Sequence, residues 1–481
     1  MNYRAVSYVL GKIFIIIGAL MLLPIAVSFY YRENLTISFL TPAAVLIFIG
    51  ILLVAKKPKN RNIYTKEGLV ICGLAWIIMS AFGALPFFVS GTIPHYIDAF
   101  FETCSGFTTT GATILNEIES LPKSILFWRS FTHWIGGMGI LSFMIAIVPK
   151  SESHSMYIMK AEVPGPKAGK VVSKIQNSTR ILYIIYCALT VSEMIVLFAF
   201  TKMRLYDAVT TALSTAGTGG FAVTNQSILS YHSPLIEWII IVYMFLFGVN
   251  FNLYFFILMR KFSSAFKDEE FWTYVSVNLG AVILITLNIA GTYDNILDAI
   301  RDAAFNVNAI MSTTGFCTVD FNTWNTFCKC LLVVIMFIGG SVGSTGGGMK
   351  VTRILLYVKE MHADLKRTLN PNAVTKVRMN GNIVEKKVIK GINSYLVIYL
   401  GILVISTLIV SFNNFDTATT FTSVVSCLNN VGPGLEMIGP TGNYASFSIL
   451  SKIVFCFDML AGRLELFPIL VLFAPRTYKA K

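Results

Sequence analysis

Four short segments repeat one chemical theme: Thr109-Thr110-Gly111, Thr218-Gly219-Gly220, Thr313-Thr314-Gly315 and Asn430-Val431-Gly432. Each sets a glycine two residues after a Thr or Asn. A glycine lets the backbone turn its carbonyls to one side, and Thr and Asn add hydroxyl and amide oxygens beside them. A ring of carbonyls can replace the hydration shell of a monovalent cation, potassium above all. Four such turns in one chain are what a selectivity filter needs when one polypeptide supplies all four walls.

Spacing ties each turn to a short amphipathic stretch that reads as a half-helix. Three stretches hold an Asp-Ala pair whose Asp stands 13 residues before the glycine (98 to 111, 207 to 220, 302 to 315). Thr419 holds that place before Gly432. Asp98, Asp207 and Asp302 are expected to begin the half-helices, where a carboxylate suits the positive end of the helix dipole. In the second segment the spacing selects Gly220 over Gly217.

The rest of the chain must place these turns in a membrane. Of 481 residues, 55% are hydrophobic and only 13% charged, against about 25% charged in a soluble domain. Many apolar runs have bilayer length. The fold class is an all-α polytopic membrane protein. The formal charge of +13 gathers in a few loops, which encodes topology and implies no nucleic-acid partner. Arg4 and Lys12 precede an apolar run without a cleavage site, so this is read as a retained span. Eight cysteines and five histidines are scattered without metal-ligand spacing. No catalytic constellation is present, and no cofactor beyond a transported ion is expected.

Two spans come first, near Val9–Tyr30 and Ile37–Ala55, followed by a basic loop with Lys56, Lys57, Lys59, Arg61 and Lys66. The chain then repeats one unit: span, half-helix, Gly turn, span, basic loop. The expected divisions are 1–66 for the two N-terminal spans, then repeats over 67–177, 178–268, 269–390 and 391–481. The returning spans are read over Ile125–Val148, Leu235–Met259, Cys328–Val358 and Phe447–Phe473. Loops between units are rich in Lys and Arg, including Lys150, Lys160, Lys167, Lys170, Lys174 and Arg180, then Lys359–Lys390, and finally Arg476, Lys479 and Lys481. The Gly-bearing loops are poor in them. The positive-inside rule therefore places the N-terminus and basic loops in the cytoplasm and the four turns outside. Half-helices too short to span must enter and return, which is tolerated only when buried in protein or lining a wet cavity.

Two further features bear on transport. Gly339-Gly340-Ser341-Val342-Gly343-Ser344-Thr345-Gly346-Gly347-Gly348-Met349-Lys350 fails the phosphate-loop pattern, because Met349 separates the last glycine from the lysine. At membrane depth it reads as a broken helix that obstructs the pore, with Gly343, Gly346, Gly347 and Gly348 as its flexible points; close helix packing is the plainer alternative. Asp458, Arg463 and Glu465 lie inside the last apolar run, where they must pair with one another or face the pore. Arg463 is expected to point at the glycine-rich segment. Lys350 and Arg353 are expected to mark the inner end of the third-unit helix, and Arg129 to snorkel or pack.

The segments Ser-Gly-Phe-Thr-Thr-Thr-Gly-Ala-Thr (105–113), Ile-Gly-Gly-Met-Gly-Ile (135–140), the run 339–348 and Ala-Gly-Arg-Leu-Glu (461–465) resemble the Trk/Ktr/HKT superfamily of potassium transporters. The two extra N-terminal spans resemble its Trk-type bacterial membrane subunit. The resemblance implies potassium uptake across the bacterial inner membrane, a homodimer, and a cytoplasmic ring of nucleotide-binding regulator subunits. It also implies that Gly339–Gly348 gates below the filter with Arg463 beside it. Ala112 and Pro433 depart from the Phe that follows the glycine in Phe221 and Phe316, so an uneven filter is expected. The alternative is a proton- or sodium-coupled carrier with alternating access, in which Glu193 or Asp458 would relay protons.

Overall fold

The computed structural model describes residues 1–58, 63–139, 175–372 and 375–478. The basic residues Lys59, Arg61, Lys150, Lys160, Lys167, Lys170, Lys174, Lys479 and Lys481, Ile140, and the segment expected to carry the first returning span on to Val148 lie outside the described residues.

Apolar runs become helices, and small residues let them touch. At the N-terminus, Tyr3–Leu20 bends into Leu23–Tyr30, with Pro24 in the first turn of the second piece. Thr36–Ala55 packs against it. A Cβ on Gly11 would fall 2.7 Å from the Leu53 Cβ, and one on Gly50 would fall 2.7 Å from the Gly11 carbonyl oxygen. The two backbones meet directly, as small residues allow in lipid.

Four units of matching design follow. The leading helices are Thr65–Gly83 (extended by Leu85–Val89), Ile175–Phe200, Glu269–Ile289 and Lys386–Val410. The short helices are Tyr96–Phe107, Leu205–Gly217, Ile296–Met311 and Thr417–Asn429. The returning helices are Lys123–Gly137, Pro234–Gly248, Thr326–Ile338 and Ile449–Arg463. The short helices hold 12 to 16 residues. At about 1.5 Å per residue they fall short of a hydrocarbon core about 30 Å thick.

Among the described residues, six helices are long and apolar enough to cross a membrane, or seven if one pair bent by 89° counts as one span. Outward side chains such as Ile37, Phe48, Leu287 and Val397 are exposed, which a hydrocarbon surround satisfies.

The second and fourth returning spans depart from the uninterrupted runs expected of them, and the third is broken at the glycine-rich segment, as its sequence implies. Pro234–Gly248 and Phe251–Leu258 meet at the 89° bend, where Asn250 caps the second piece by accepting from the Asn252 amide at 3.0 Å. Thr326–Ile338 gives way to non-helical backbone until Val351. Ile449–Arg463 breaks at Glu465 and Leu466, whose φ values are 55° and 69°, before Phe467–Phe473 resumes. Backbone freed at this depth needs partners inside the protein.

The half-helix starts need one correction. Asp98 and Asp207 lie in first turns, but Asp302 does not: its helix begins at Ile296, and Asp298 holds the first-turn place. Asp302 instead accepts a hydrogen bond from the Tyr293 hydroxyl at 2.8 Å. In the fourth unit Asp416 caps the helix through the Thr419 amide at 2.8 Å. The described part of the polar stretch after the third unit has regular structure. It holds the end of helix Val351–Leu369 and a hairpin pairing Arg378–Met379 with Asn382–Ile383.

Candidate functional site

All four short helices end in the same hydrogen-bonded turn. The amide of the residue before each glycine donates five residues back: Thr110 to Ser105 (2.9 Å), Gly219 to Ser214 (2.9 Å), Thr314 to Ala309 (2.8 Å) and Val431 to Ser426 (2.9 Å). One residue earlier, Thr109, Thr218, Thr313 and Asn430 donate three residues back. This is the Schellman pattern of a helix C-terminus. Its left-handed residue, usually Gly, is here Thr or Asn, with φ between 54° and 62°. The glycine two residues on also has positive φ: 81° at Gly111, 79° at Gly220, 74° at Gly315 and 98° at Gly432. Gly217 is the last residue of its helix.

The four turns close on one another in chain order. A Cβ on Gly111 would fall 2.0 Å from the Gly219 carbonyl oxygen. One on Gly220 would lie 2.0 Å from that of Thr314, one on Gly315 2.2 Å from that of Val431, and one on Gly432 2.6 Å from that of Thr110. Each glycine thus lies against the carbonyl that precedes the next glycine, and the fourth returns to the first. Only glycine permits these approaches. Side chains lace the same neighbours: Asn225 to the Ile118 amide (2.8 Å), Ser227 to the Cys317 amide (3.3 Å) and Asn322 to the Glu436 amide (2.9 Å). The Tyr444 amide donates to the Thr113 carbonyl at 2.8 Å and completes the circuit. A cavity of about 110 Å³ faces the ring and touches all four glycines.

The ring is uneven. Gly219 takes the place of Thr110, Thr314 and Val431 because His133 fills the space, so that a Cβ there would fall 1.8 Å from its Nδ1. Asn430 donates to the Thr110 hydroxyl at 3.0 Å and to the Met459 carbonyl at 2.9 Å. Thr109, Thr110, Thr218, Thr313, Thr314, Asn430 and Val431 are all fully buried.

The glycine-rich segment reaches the ring. The Gly347 amide donates to the Thr313 hydroxyl at 2.6 Å, and that of Gly348 to the Asn429 carbonyl at 2.9 Å. Gly346 and Gly347 must be glycine to come so close: Cβ atoms there would fall 2.7 Å from the Ser312 carbonyl oxygen and 2.3 Å from that of Asn429. The Gly343 carbonyl accepts from the Phe251 amide at 3.1 Å, just past the 89° bend. Arg463 crosses from the fourth unit. It donates to the Thr345 carbonyl at 2.6 Å and to those of Gly136 and Gly137 at 2.5 and 2.6 Å.

Other charges fall only partly as expected. Lys350 and Arg353 stand at the start of helix Val351–Leu369, past the break, and not at the inner end of a continuous third-unit helix; both are buried. The Lys350 ammonium donates to the Gly346 carbonyl, and Arg353 pairs with Glu465. Asp458 is buried and accepts from the Ser406 hydroxyl at 2.8 Å. Arg129 packs and does not snorkel, the second of the two roles expected of it. It is 1% exposed and pairs with Glu102 at 2.8 Å. Glu102 also accepts from the Ile114 amide at 3.0 Å, while Arg129 donates to the Ala222 carbonyl at 3.2 Å and lies 4.1 Å from the Phe221 ring centre. This pair joins the first turn to the second. Sequence reading missed Glu102 and His133. The available signal was a second carboxylate, Glu102, one turn beyond Asp98 in a half-helix at membrane depth, which demands a partner.

A family model described as TrkH, cation transport protein, matches residues 34–479. The chain is 36% identical over 485 residues to the Trk system potassium uptake protein TrkH of Salmonella typhimurium, and 35% identical over 485 residues to that of Escherichia coli K12. In both cases 100% of each chain is covered. The crystal structure of the potassium transporter TrkH from Vibrio parahaemolyticus matches with a TM-score of 0.89 at 30% identity, covering 100% of both chains.

Proposed function

The chain belongs to the TrkH family of cation transport proteins, and we propose that it takes up potassium through a pore built by four repeats around one axis. The observation that carries this reading is the cyclic closure of the turns at Gly111, Gly220, Gly315 and Gly432. A closed ring of carbonyls, with Thr and Asn oxygens beside it, suits an ion that gives up its water. The filter residues are Thr109, Thr110, Gly111, Thr218, Gly219, Gly220, Thr313, Thr314, Gly315, Asn430, Val431 and Gly432. A cation moving inward gains about 2.3 kcal/mol per 100 mV of inside-negative potential, so no chemical step is needed.

The segment Gly339–Gly348 is the gate. Its hydrogen bonds to Thr313 and Asn429 set it against the filter, and Arg463 holds it to the first repeat. The basic loops face the cytoplasm of a bacterial inner membrane, with the N-terminus inside. The named relatives are parts of a Trk system. On the same reading this chain is a membrane subunit that pairs with a second copy and binds a cytoplasmic ring of nucleotide-binding regulators.

A second reading, a proton- or sodium-coupled carrier, draws on Asp458, a buried carboxylate whose hydrogen bond comes from Ser406. One assay separates them. Protein in liposomes is expected to pass potassium down its gradient without proton movement, and strict one-to-one proton coupling would sink the channel reading. Deleting Gly343–Gly348 is expected to raise basal flux; unchanged flux in folded protein removes the gate from this segment.

A further inference from the structure

The strongest unexplained group near the gate is Glu270. It lies in the first turn of Glu269–Ile289 and is 3% exposed. Its Oε1 accepts from the Val342 amide at 2.6 Å, across 72 residues of sequence. Asn250 and Thr352 face the same carboxylate, and the Lys350 ammonium lies within its electrostatic reach. Val342 sits between the hinge glycines Gly339 and Gly343, whose φ values are 70° and 79°. Such a segment has many accessible conformations. A fixed carboxyl acceptor on one of its few non-glycine amides selects among them, and leaving that buried amide without its acceptor is costly.

The two residues before Glu270 face the other way. Asp268 accepts from the Asn380 side-chain amide at 2.8 Å, and the Glu269 amide donates to the Asn380 Oδ1 at 2.9 Å. Glu269 also pairs with Lys359, which donates to the Arg378 carbonyl at 2.9 Å. Asn380 forms the tip of the hairpin Arg378–Ile383. Three consecutive acidic residues on one rigid helical turn therefore grip a cytoplasmic-side hairpin with the first two and the glycine-rich segment with the third.

We propose that Glu270 is the positioning residue of the gate, and that the turn Asp268–Glu270 couples the hairpin at 378–383 to it. This rests on the reading of Gly339–Gly348 as the gate. A displacement of the hairpin shifts the helix start, and the shift reaches Val342 through one hydrogen bond. The hairpin becomes the place where a cytoplasmic partner acts on conduction.

The test is basal potassium flux of the full-length protein in liposomes, without regulator. Glu270→Ala is expected to raise it about tenfold, the shift that losing one buried hydrogen bond supports. Glu270→Gln keeps the acceptor oxygen and is expected to restore near-native flux, which a merely structural defect would not predict. The potassium-to-sodium ratio is expected to stay unchanged in both. Asn380→Ala is expected to raise flux in the native background and to add nothing on top of Glu270→Ala. Additive effects, or native flux in Glu270→Ala, overturn the proposal. If Glu270→Ala does not fold, native flux in Asn380→Ala overturns it. Should the Gly343–Gly348 deletion raise flux while Glu270→Ala does not, this inference fails and the gate stands; should neither raise it, the gate reading itself fails.

Discussion

The Gly347 amide donates to the hydroxyl of Thr313 at 2.6 Å, so the glycine-rich segment is bonded to the turn before Gly315 itself and not merely stacked beneath it. Thr313→Val keeps the side-chain shape and removes the acceptor. The orphaned buried amide costs about 1–3 kcal/mol, charged to the closed arrangement alone. Basal potassium flux in liposomes is expected to rise by about tenfold or more, and native flux would show that this contact does not hold the segment.

The ring predicts a ranking among its glycines. A Cβ meets a carbonyl at 2.0, 2.0 and 2.2 Å at Gly111, Gly220 and Gly315, but at 2.6 Å at Gly432. All four also need positive φ, which costs a side-chain-bearing residue about 1–2 kcal/mol. Gly432→Ser is expected to fold and to lower potassium-over-sodium selectivity. Serine at Gly111 or Gly220 is expected to cost most of the folded protein. Reversal potentials and the yield of monodisperse protein check the order.

Arg463 satisfies three carbonyls from two repeats. Arg463→Gln reaches fewer of them and carries no charge. Basal flux is expected to rise several-fold with selectivity intact, since the four turns keep their own hydrogen bonds. A loss of selectivity instead of a rise in flux would place Arg463 in the filter's support.

Glu102 and Arg129 form a fully buried pair. Removing one partner strands a charge and is expected to destabilise the protein by about 3–5 kcal/mol, whereas replacing both with apolar residues of like volume costs far less. Thermal unfolding of Glu102→Leu, Arg129→Met and the double variant checks this. Additive single effects would deny the pairing.

What the chain displays locally was legible in it. The turns, their spacing from the preceding Asp and the basic loops are patterns within one unit, and each unit reads alone. The third helix was misjudged because the 13-residue spacing runs from Asp302 to Gly315, while the helix itself starts at Ile296. The bend at Asn250 did leave a signal, a glycine followed by a capping residue, but the surrounding apolar run concealed it. The break at Glu465 and Leu466 is flanked by Gly462 and Pro468, but neither residue at the break itself favours positive φ. The pairing of Glu102 with Arg129 depends on how two repeats dock, which no single segment encodes.

The circuit of turns has a consequence for how the protein is made. Its last link joins Asn430 to Thr110, 320 residues apart. A chain still being synthesised holds three walls without the fourth, and contacts this distant form late. Until the final repeat arrives, the Thr110 carbonyl lacks the Gly432 backbone that closes on it, and the ring does not exist. A truncated chain is therefore no weaker version of the whole; it lacks the closed ring altogether. On the proposed reading of the ring, sequence order makes completion of translation the condition for ion discrimination.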